Sequence, residues 1–422
     1  ALEIFHRNSR YPAQSRGDTS ALMASVALGV RRVEEILQRF GAAVLADALR
    51  QLLARTETLV RRRLREVFAP GTYRFTDRID SDGQGHGPFH LRLAMTRTVD
   101  DRFVLDASET DDQAPGPVNF LMNRHVPGTA LGLFFLGGDP AQVCNAGGPN
   151  ALDEVILREG SLLQPRFPAP LGLRGLTMMR VLAALNGLVN VAGGAAPAAH
   201  SAYVILLLRG TAEGVPFLMS DGVGVGYGAR PDADGIDAVY FVAQENYPVE
   251  FLETNYPIRL RRYGVHRDSG GPGRHRGGCG LVREYEVLAE RAVLAMRIDS
   301  VANPPWGTAG GMGGGSGRAV VNPGTAQERT LAPLSDGNVL TRGDILLLET
   351  GGGGGHGHPF DRPADAVLGD VLDGFVSAEA ALAQYGVVLA GDDVDRHATA
   401  ARRADRPVSK AFHRTAYVDH LE

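Results

Sequence analysis

Lysine is almost absent from this 422-residue chain: Lys410 is the single one, and every other member of its 43 basic residues is arginine. Chemistry that needs a lysine amine is therefore confined to one position in a polar C-terminal stretch. A phosphate loop of the Walker type needs Lys directly after its glycines to reach the β- and γ-phosphates, and no Gly-Lys pair occurs. Schiff-base and pyridoxal-phosphate chemistry needs the amine as nucleophile, and Lys410 lacks the flanking methionines of a biotin carrier. If the protein serves an ATP-dependent or carboxylating reaction, those parts belong on another chain. Cysteine is scarce as well. Cys144 and Cys279 lie far apart with no CxxC pair, which excludes a zinc framework or disulfide scaffold and makes a reducing cytoplasm the expected location. No apolar run reaches the roughly 18–20 residues of a membrane span; residues 202–208 and 345–348 are strand-length, so no membrane partner is expected. A net charge of −5 with pI near 6.2 argues against nucleic acid as a partner. The opening ALEIFHRNSRYP has neither the charged nor the apolar region of a signal peptide. It also lacks Met, which points to a processed or truncated start.

Glycine is the residue in excess, 54 of 422, or about 13% against a usual value of roughly 7%. There is no collagen-like period, and 44% apolar residues is too many for disorder. The reading is a loop-rich globular protein in which many backbone positions need φ > 0 or a close approach of chains.

Periodicity divides the chain into four segments. Residues 1–68 predict a helical hairpin: Leu22, Val26, Val33, Ile36 and Phe40 recur at 3–4 residue spacing after the caps Asp18 to Ser20, and Gly41 marks a break before a second helix. Residues 69–212 predict an α+β domain. Alternation through Tyr73, Phe75, Leu91, Leu93, Met95, Phe103 and Leu105 reads as an antiparallel ribbon, residues 123–136 and 176–191 as helices, and residues 203–208 as a buried strand. Residues 213–362 predict a β-rich domain with glycine-rich loops. Residues 363–422 predict two short helices and a polar tail that is mobile or partner-bound. The fold class is α+β.

Four glycine-rich stretches offer themselves as sites. In residues 221–235, Gly224-x-Gly226 imitates a nucleotide loop, but no apolar-periodic helix follows it. Residues 312–317 precede a strand and suit a structural turn, with an anion-binding nest as the alternative. In GGGGGHGHPFDRP, residues 351–363, His356 and His358 are weak metal candidates, since a short-loop pair supplies only part of a coordination shell. The alternative is a crowded backbone path followed by a turn. In DSGGPGRHRGGCG, residues 268–280, Arg274 and Arg276 could converge on a carboxylate or phosphate. Glu245, Glu250 and Glu253 could equally hold them in a buried ion-pair network. No GxSxG nucleophile elbow occurs.

At these stretches the sequence resembles the hydantoinase B/5-oxoprolinase family, which includes B-type subunits of ATP-dependent N-methylhydantoinases and of acetone and acetophenone carboxylases. The matching blocks are REGSLLQPRFPAP, GYGARPDADG, ENYPVEFLETNYPIR, DSGGPGRHRGGCGLVREYE, GDILLLETGGGGGHGHP and GFVSAEAALAQYGVVL. Family members usually carry, ahead of the helical hairpin, a region with HHADVGG-type motifs that look like divalent-metal ligands, and this chain has none of it. The family also often reads GGGGYGDP where this chain has His356 and His358, which favours packing and capping over metal binding there.

The resemblance implies a subunit, or the C-terminal portion of one, of a hetero-oligomeric ATP-dependent hydrolase that opens a small cyclic amide. A partner A-type ATPase subunit would carry ATP and Mg2+, and a divalent metal (Mn, Fe or Zn) would sit in the region not found here. A ketone carboxylase subunit is the alternative, and a non-catalytic assembly scaffold another. Within this chain the expected site is Arg274 and Arg276 for anion contact, with Glu245 and Asp268 for acid/base or supporting work.

Overall fold

The computed structural model describes residues 2–9, 11–136, 145–240 and 245–414; Cys144 and the last eight residues of the tail lie outside them. A short helix α1 (Leu2–Arg7) leads into α2 (Pro12–Phe40), which starts on Pro12, ahead of the Asp18–Ser20 caps. Proline is tolerated there because the first-turn amide has no intrahelical partner. Gly41, at φ +82°, breaks the rod where the spacing predicts, and α3 (Ala42–Val67) follows. α3 buries Thr56, Val60 and Leu64, whereas α2 buries no residue at all.

The period-two region forms an antiparallel meander of β1 (Gly71–Ile79), β2 (Phe89–Arg97) and β3 (Phe103–Asp106), to which β4 (Glu154–Ile156) adds in parallel. Phe75, Ile79, Leu91, Leu93, Met95, Phe103 and Leu105 all point into one core. That face is covered by α5 (Arg174–Val191), with α4 (His125–Leu136) beside it. Gly187 of α5 lies against the Phe75 ring, where an added Cβ would come within 2.5 Å.

The second core lies between two sheets. One runs β13-β9-β5-β6, built from β5 (Val204–Ala212), β6 (Val215–Val223), β9 (Arg291–Arg297) and β13 (Leu334–Thr341). The other runs β12-β11-β14-β8-β7, from β7 (Ile258–Val265), β8 (Leu281–Val287), β11 (Arg318–Val321), β12 (Arg329–Thr330) and β14 (Ile345–Glu349). Leu206, Leu208 and Leu294 of the first meet Tyr285, Leu346 and Leu348 of the second, and α6 (Val249–Asn255) adds Leu252. The strand β5 thus pairs across the 212/213 division of the sequence reading. β13 is a strand that the polar LSDGNVLT does not announce; it is an edge strand, with a register shift between Ser335 and Asn338.

The closing helices are α7 (Ala364–Leu372) and α8 (Ala378–Tyr385), the latter capped by the Ser377 side chain and ended by Gly386 at φ +64°. Beyond them the tail is anchored as far as residue 414, contrary to the expectation of a mobile or partner-bound end. A small hairpin of β15 (Leu389–Ala390) and β16 (Asp393–Val394) leads to α9 (Arg396–Ala404), capped by Asp395. Then β17 (Phe412–His413) pairs with β10 (Gly307–Thr308). A single apolar residue explains the docking: Phe412 sits against Phe75 and Trp306 in the first core.

Where the two cores meet, the glycine-rich stretches pack backbone on backbone. Residues 351–355 form the axis. Gly351 O accepts from Gly226 N and Gly354 O from Ala229 N; Gly352 N donates to Gly315 O and Gly355 N to Met312 O; Gly353 exchanges bonds with Gly271 and Gly278. Each neighbour is thus met every third residue, which is the habit of a threefold extended screw and not of a pleated strand. None of Gly226, Gly271, Gly277, Gly278 or Gly351–Gly355 has φ > 0, so close approach is what glycine supplies here. A Cβ on Gly353 would lie 2.1 Å from Tyr227 O, and one on Gly278 2.0 Å from Ile236 O.

These distances forbid any side chain without moving backbone. Gly353→Ala is expected to cost at least about 3 kcal/mol, at or above the upper end for forced overpacking. Gly264→Ala, where a Cβ meets nothing within 4 Å, is expected to change stability by less than about 0.5 kcal/mol. Urea denaturation of the two variants side by side checks both expectations.

Candidate functional site

One wall of the glycine bundle faces α4 and α5 across a cavity of about 780 Å³. Its walls are mainly apolar, from Val126 and Ala130 of α4, Met178, Met179 and Leu182 of α5, and Ala198 and Ile236 opposite. The polar residues that line it are Asn123, His125, Thr129, Asn186, His200, Tyr227, Arg230 and Asp234.

His200 is the most tightly positioned of these. Its neighbour Ala199 is tied to the bundle on both sides, donating to Trp306 O and accepting from Gly354 N (2.8 Å). The His200 carbonyl accepts from the Arg180 guanidinium. Arg180, on α5, is itself wholly buried between Asp77 of β1 (3.8 Å) and Asp299 (3.6 Å). Asp77 also accepts from the Trp306 indole. Backbone and ion pairs thus fix the His200 main chain, and its ring lies edge-on to Tyr227 with centroids 5.0 Å apart. Burial, with the nearby Arg180 charge, pushes the imidazole down to about 3, so it stays neutral at physiological pH. Its ring nitrogens have no hydrogen-bond partner among the described residues, and neither has the side-chain amide of Asn186, which is only 5% exposed. Two buried polar groups therefore face one cavity without protein partners.

The residues singled out by motif lie elsewhere. Arg276 is buried and spent: Nη1 donates to Asp237 Oδ1 at 2.9 Å, Nε lies 3.6 Å from Asp370, and the guanidinium stacks over Phe375. Arg362 bridges Asp370 and Asp234 at 2.9 and 2.7 Å, closing a network of two arginines and three aspartates. Burial alone would raise Asp234, but the Arg362 pair outweighs it and holds the carboxyl below the usual range. Of the two readings open for this loop, the ion-pair network describes Arg276, though its partners are aspartates and not the glutamates. Arg274 points the other way. It is exposed, and its guanidinium has no partner among the described residues. Asp268, at φ +63°, accepts from Ser377 N (2.7 Å) and so ties the loop to the start of α8. Glu245 is exposed, and Glu253 accepts from Leu260 N. None of Glu245, Asp268, Arg274 and Arg276 lines the cavity; Asp234 alone joins the network to its wall.

The histidine pair is also placed by the fold. His358 Nδ1 accepts from Phe360 N, which leaves its Nε2–H to donate to Pro407 O, each at 3.0 Å. Both nitrogens are committed, and the residue is a cap. His356 pairs with His275 through main-chain bonds alone, and its ring is held below the usual imidazole range by burial and by His275 and Arg274. Among the described residues no cluster of three or more His, Cys, Asp or Glu is arranged to hold a metal ion. The described residues thus do not fit a divalent-metal site.

The sequence signal for His200 and Asn186 is faint but real: each is a lone polar residue in an apolar run, AAPAAH and LAALNGLV. Because the folded His200 resists protonation, acid should unfold the protein through it. Between pH 6.5 and 3 the unfolded chain takes up that proton and the folded chain does not, so stability falls as pH falls. His200→Phe is expected to reduce the stability difference between pH 7 and pH 4.5 by up to about 2 kcal/mol, read from denaturant midpoints at the two values.

The comparisons with known proteins place this architecture. A model of the hydantoinase B/oxoprolinase family matches residues 1–359. The caprolactamase subunit beta of Pseudomonas jessenii is 28% identical over 435 residues, covering 96% of this chain and 71% of that one. The crystal structure of the ATP-dependent caprolactamase from that organism superposes with a TM-score of 0.75 at 24% identity, over 96% of this chain and 72% of its own. The nucleotide-free structure of acetone carboxylase superposes with a TM-score of 0.72 at 18% identity, over 88% of this chain and 57% of its own. At these identities the superpositions show a shared α+β fold. The chain spans little more than half of the acetone carboxylase chain and about seven-tenths of the caprolactamase subunit. Among the described residues no helix is long and apolar enough to cross a membrane. With the family model matched over most of its length, the chain belongs to the hydantoinase B/oxoprolinase family.

Proposed function

We propose that the chain is a B-type subunit, or the corresponding portion of one, of a cytoplasmic ATP-dependent enzyme that hydrolyses a cyclic amide, working in a hetero-oligomer. A hydantoinase A-type subunit holds ATP and Mg2+, and phosphorylates the amide oxygen. The observation that carries this reading is the family match together with a relative named as the beta subunit of a caprolactamase. The physical chemistry of the loops supports it. In the glycine-rich stretches the amides of Gly226, Ala229, Gly271, Gly278 and Gly353–Gly355 already donate to protein carbonyls. A phosphate cradle needs such amides free, and Lys410 is the only lysine. Nucleotide handling therefore belongs to the partner.

Once the amide oxygen is phosphorylated, water adds to its carbon and gives up a proton. The adduct breaks the ring C–N bond, the nitrogen taking up a proton, and the acyl phosphate left is hydrolysed to carboxylate and phosphate. The phosphate charge therefore needs a fixed positive partner throughout. Exposed and unpaired, Arg274 is the proposed contact for the phosphorylated substrate, and Arg276 holds the loop that presents it. Exposed Glu245 is the proposed acid/base, and Asp268 keeps the loop in place against α8.

Co-expression with an A-type subunit tests this. Ring opening of caprolactam, a hydantoin or 5-oxoproline, coupled to ATP turnover, is the expected result. ATP turnover that instead requires acetone or acetophenone with bicarbonate would replace the hydrolase reading with the carboxylase one. A complex that assembles but consumes no ATP with either group would leave the chain a scaffold. Arg274→Ala is expected to lower turnover by about tenfold or more at unchanged stability, the loss of one charge-assisted contact. Arg276→Ala is expected to cost about 3 kcal/mol, because it removes a buried guanidinium and leaves the part-buried Asp237 without its pair, and so reports on folding and not on catalysis.

A further inference from the structure

We infer that the cavity between α4, α5 and the glycine bundle is a binding site for an uncharged small molecule that presents a carbonyl beside an N–H on an apolar body, read by Asn186 and His200. The inference deepens the cyclic-amide reading and rests on it for the identity of the ligand as substrate; the binding site itself stands on geometry.

Asn186 is 5% and His200 8% exposed, and both line the same cavity. Neither side chain has a hydrogen-bond partner among the described residues. Their polar atoms are not sealed in the core but open onto the cavity, so a ligand or water there must supply their hydrogen bonds. A carboxamide offers two donors and an acceptor, and a neutral imidazole one of each. Between them they can meet both halves of an amide, lactam, imide or ureide edge.

The charge balance of the cavity narrows the ligand further. His200 is neutral, and Asp234 is already matched by Arg362. The interior therefore offers no free countercharge to an ion, and burying an unpaired ion there would be prohibitive. The free cationic group that lines the cavity is Arg230, which is exposed, with no partner for its guanidinium among the described residues. A ligand with a carboxylate would have to leave it at that rim.

The remaining walls set the body of the ligand. Val126, Ala130, Met178, Met179 and Leu182 are apolar, and the two methionines can repack around different rings. About 780 Å³ falls within the usual range for small-molecule sites. The supports for His200 are of the kind that binding sites need. Its main chain is fixed by Arg180 and by the bonds of Ala199, and its ring by Tyr227. A site that must discriminate a carbonyl from a methylene is built on such immobile groups.

The test uses the full chain without ATP or partner. Binding of ε-caprolactam, N-methylcaprolactam and cycloheptane is followed by saturation-transfer NMR and calorimetry. Caprolactam is expected to bind, N-methylation to weaken it by about tenfold or more, and cycloheptane to bind more weakly still. Asn186→Leu and His200→Phe are each expected to weaken caprolactam by about tenfold or more. The ligand-free Tm of Asn186→Leu should be unchanged or raised, since an unpartnered buried amide gives way to an apolar group of similar size.

No caprolactam binding by the wild-type chain would overturn the site. So would equal affinity for caprolactam and its N-methyl derivative, or full binding by both variants; each of these would leave the cavity holding water only. If caprolactam binds as expected while the A-type complex turns over no cyclic amide, the site stands and the hydrolase reading falls. If the complex turns over caprolactam while binding is unchanged in both variants, the hydrolase reading stands and this site falls.

Discussion

The structure depends on the contact of bare backbone with bare backbone around residues 351–355. At Gly226, Gly277, Gly352 and Gly354 an added Cβ would lie 2.0 Å or less from a carbonyl oxygen of another segment, closer than any real contact. The chains can come this near only because nothing projects between them, and the gain is a dense set of hydrogen bonds at the junction of two cores. Glycine loses more conformational freedom on folding than any other residue, so such a bundle needs firm ends. It has them. β14 runs directly into the axis, the loop before β8 supplies a second segment, and the residues after β6 a third. The Arg276–Arg362–Asp234–Asp237–Asp370 network then ties the periphery of the bundle to α7.

From this junction the geometry of the cavity follows. Ala199 is held by the bundle on both sides, so His200 has no latitude in its main chain. Arg180 arrives from α5 to accept the opposing charges of Asp77 and Asp299 and to donate to the His200 carbonyl. One buried guanidinium thus joins the helix, the meander and the bundle at the point where the candidate site sits. Buried ion pairs contribute little net stability, because desolvation offsets attraction. What this one does contribute is position. Asp299 is pushed up to about 6, by burial first, and the Arg180 charge opposes that rise, as expected for a pair held at 3.6 Å without ideal geometry.

Much of the fold is legible in the sequence wherever one physical cause dominates. Alternation at Phe75, Leu91, Leu93 and Met95 specifies the buried face of the meander, and Gly41 and Gly386 end helices for reasons visible in one residue. Other features have no local cause. β13 is polar and takes its conformation from β9 alongside it. The tail is polar apart from a few residues, and its docking turns on where Phe412 meets Phe75 and Trp306, which no spacing reveals. The glycine stretches read correctly as crowded, yet the sequence does not say which chain crowds which. The candidate site suffers most from this. Arg274 and Arg276 look like a pair in sequence, and on a pleated strand residues two apart would share a face, but the loop here is irregular and turns Arg274 to solvent and Arg276 into the fold. His200 and Asn186 carry no motif, because what marks them is the absence of a partner in three dimensions.

The hydrogen bonds of the bundle also limit what its glycine-rich loops can bind. A backbone amide can donate once. Where glycine-rich loops open a helix, their amides are free and gather a phosphate; here they run between other strands of backbone, and their donors are consumed in holding the junction together. A loop so occupied could bind a nucleotide only by dissolving the contacts that position His200. Glycine richness and phosphate binding are thus competing uses of one resource in this fold, and the bundle has taken it. Among the described residues the polar groups left over include Asn186 and His200 inside the cavity, Arg230 at its rim and Arg274 away from it. They suit recognition of a small neutral molecule in the cavity and of an anion brought to the surface.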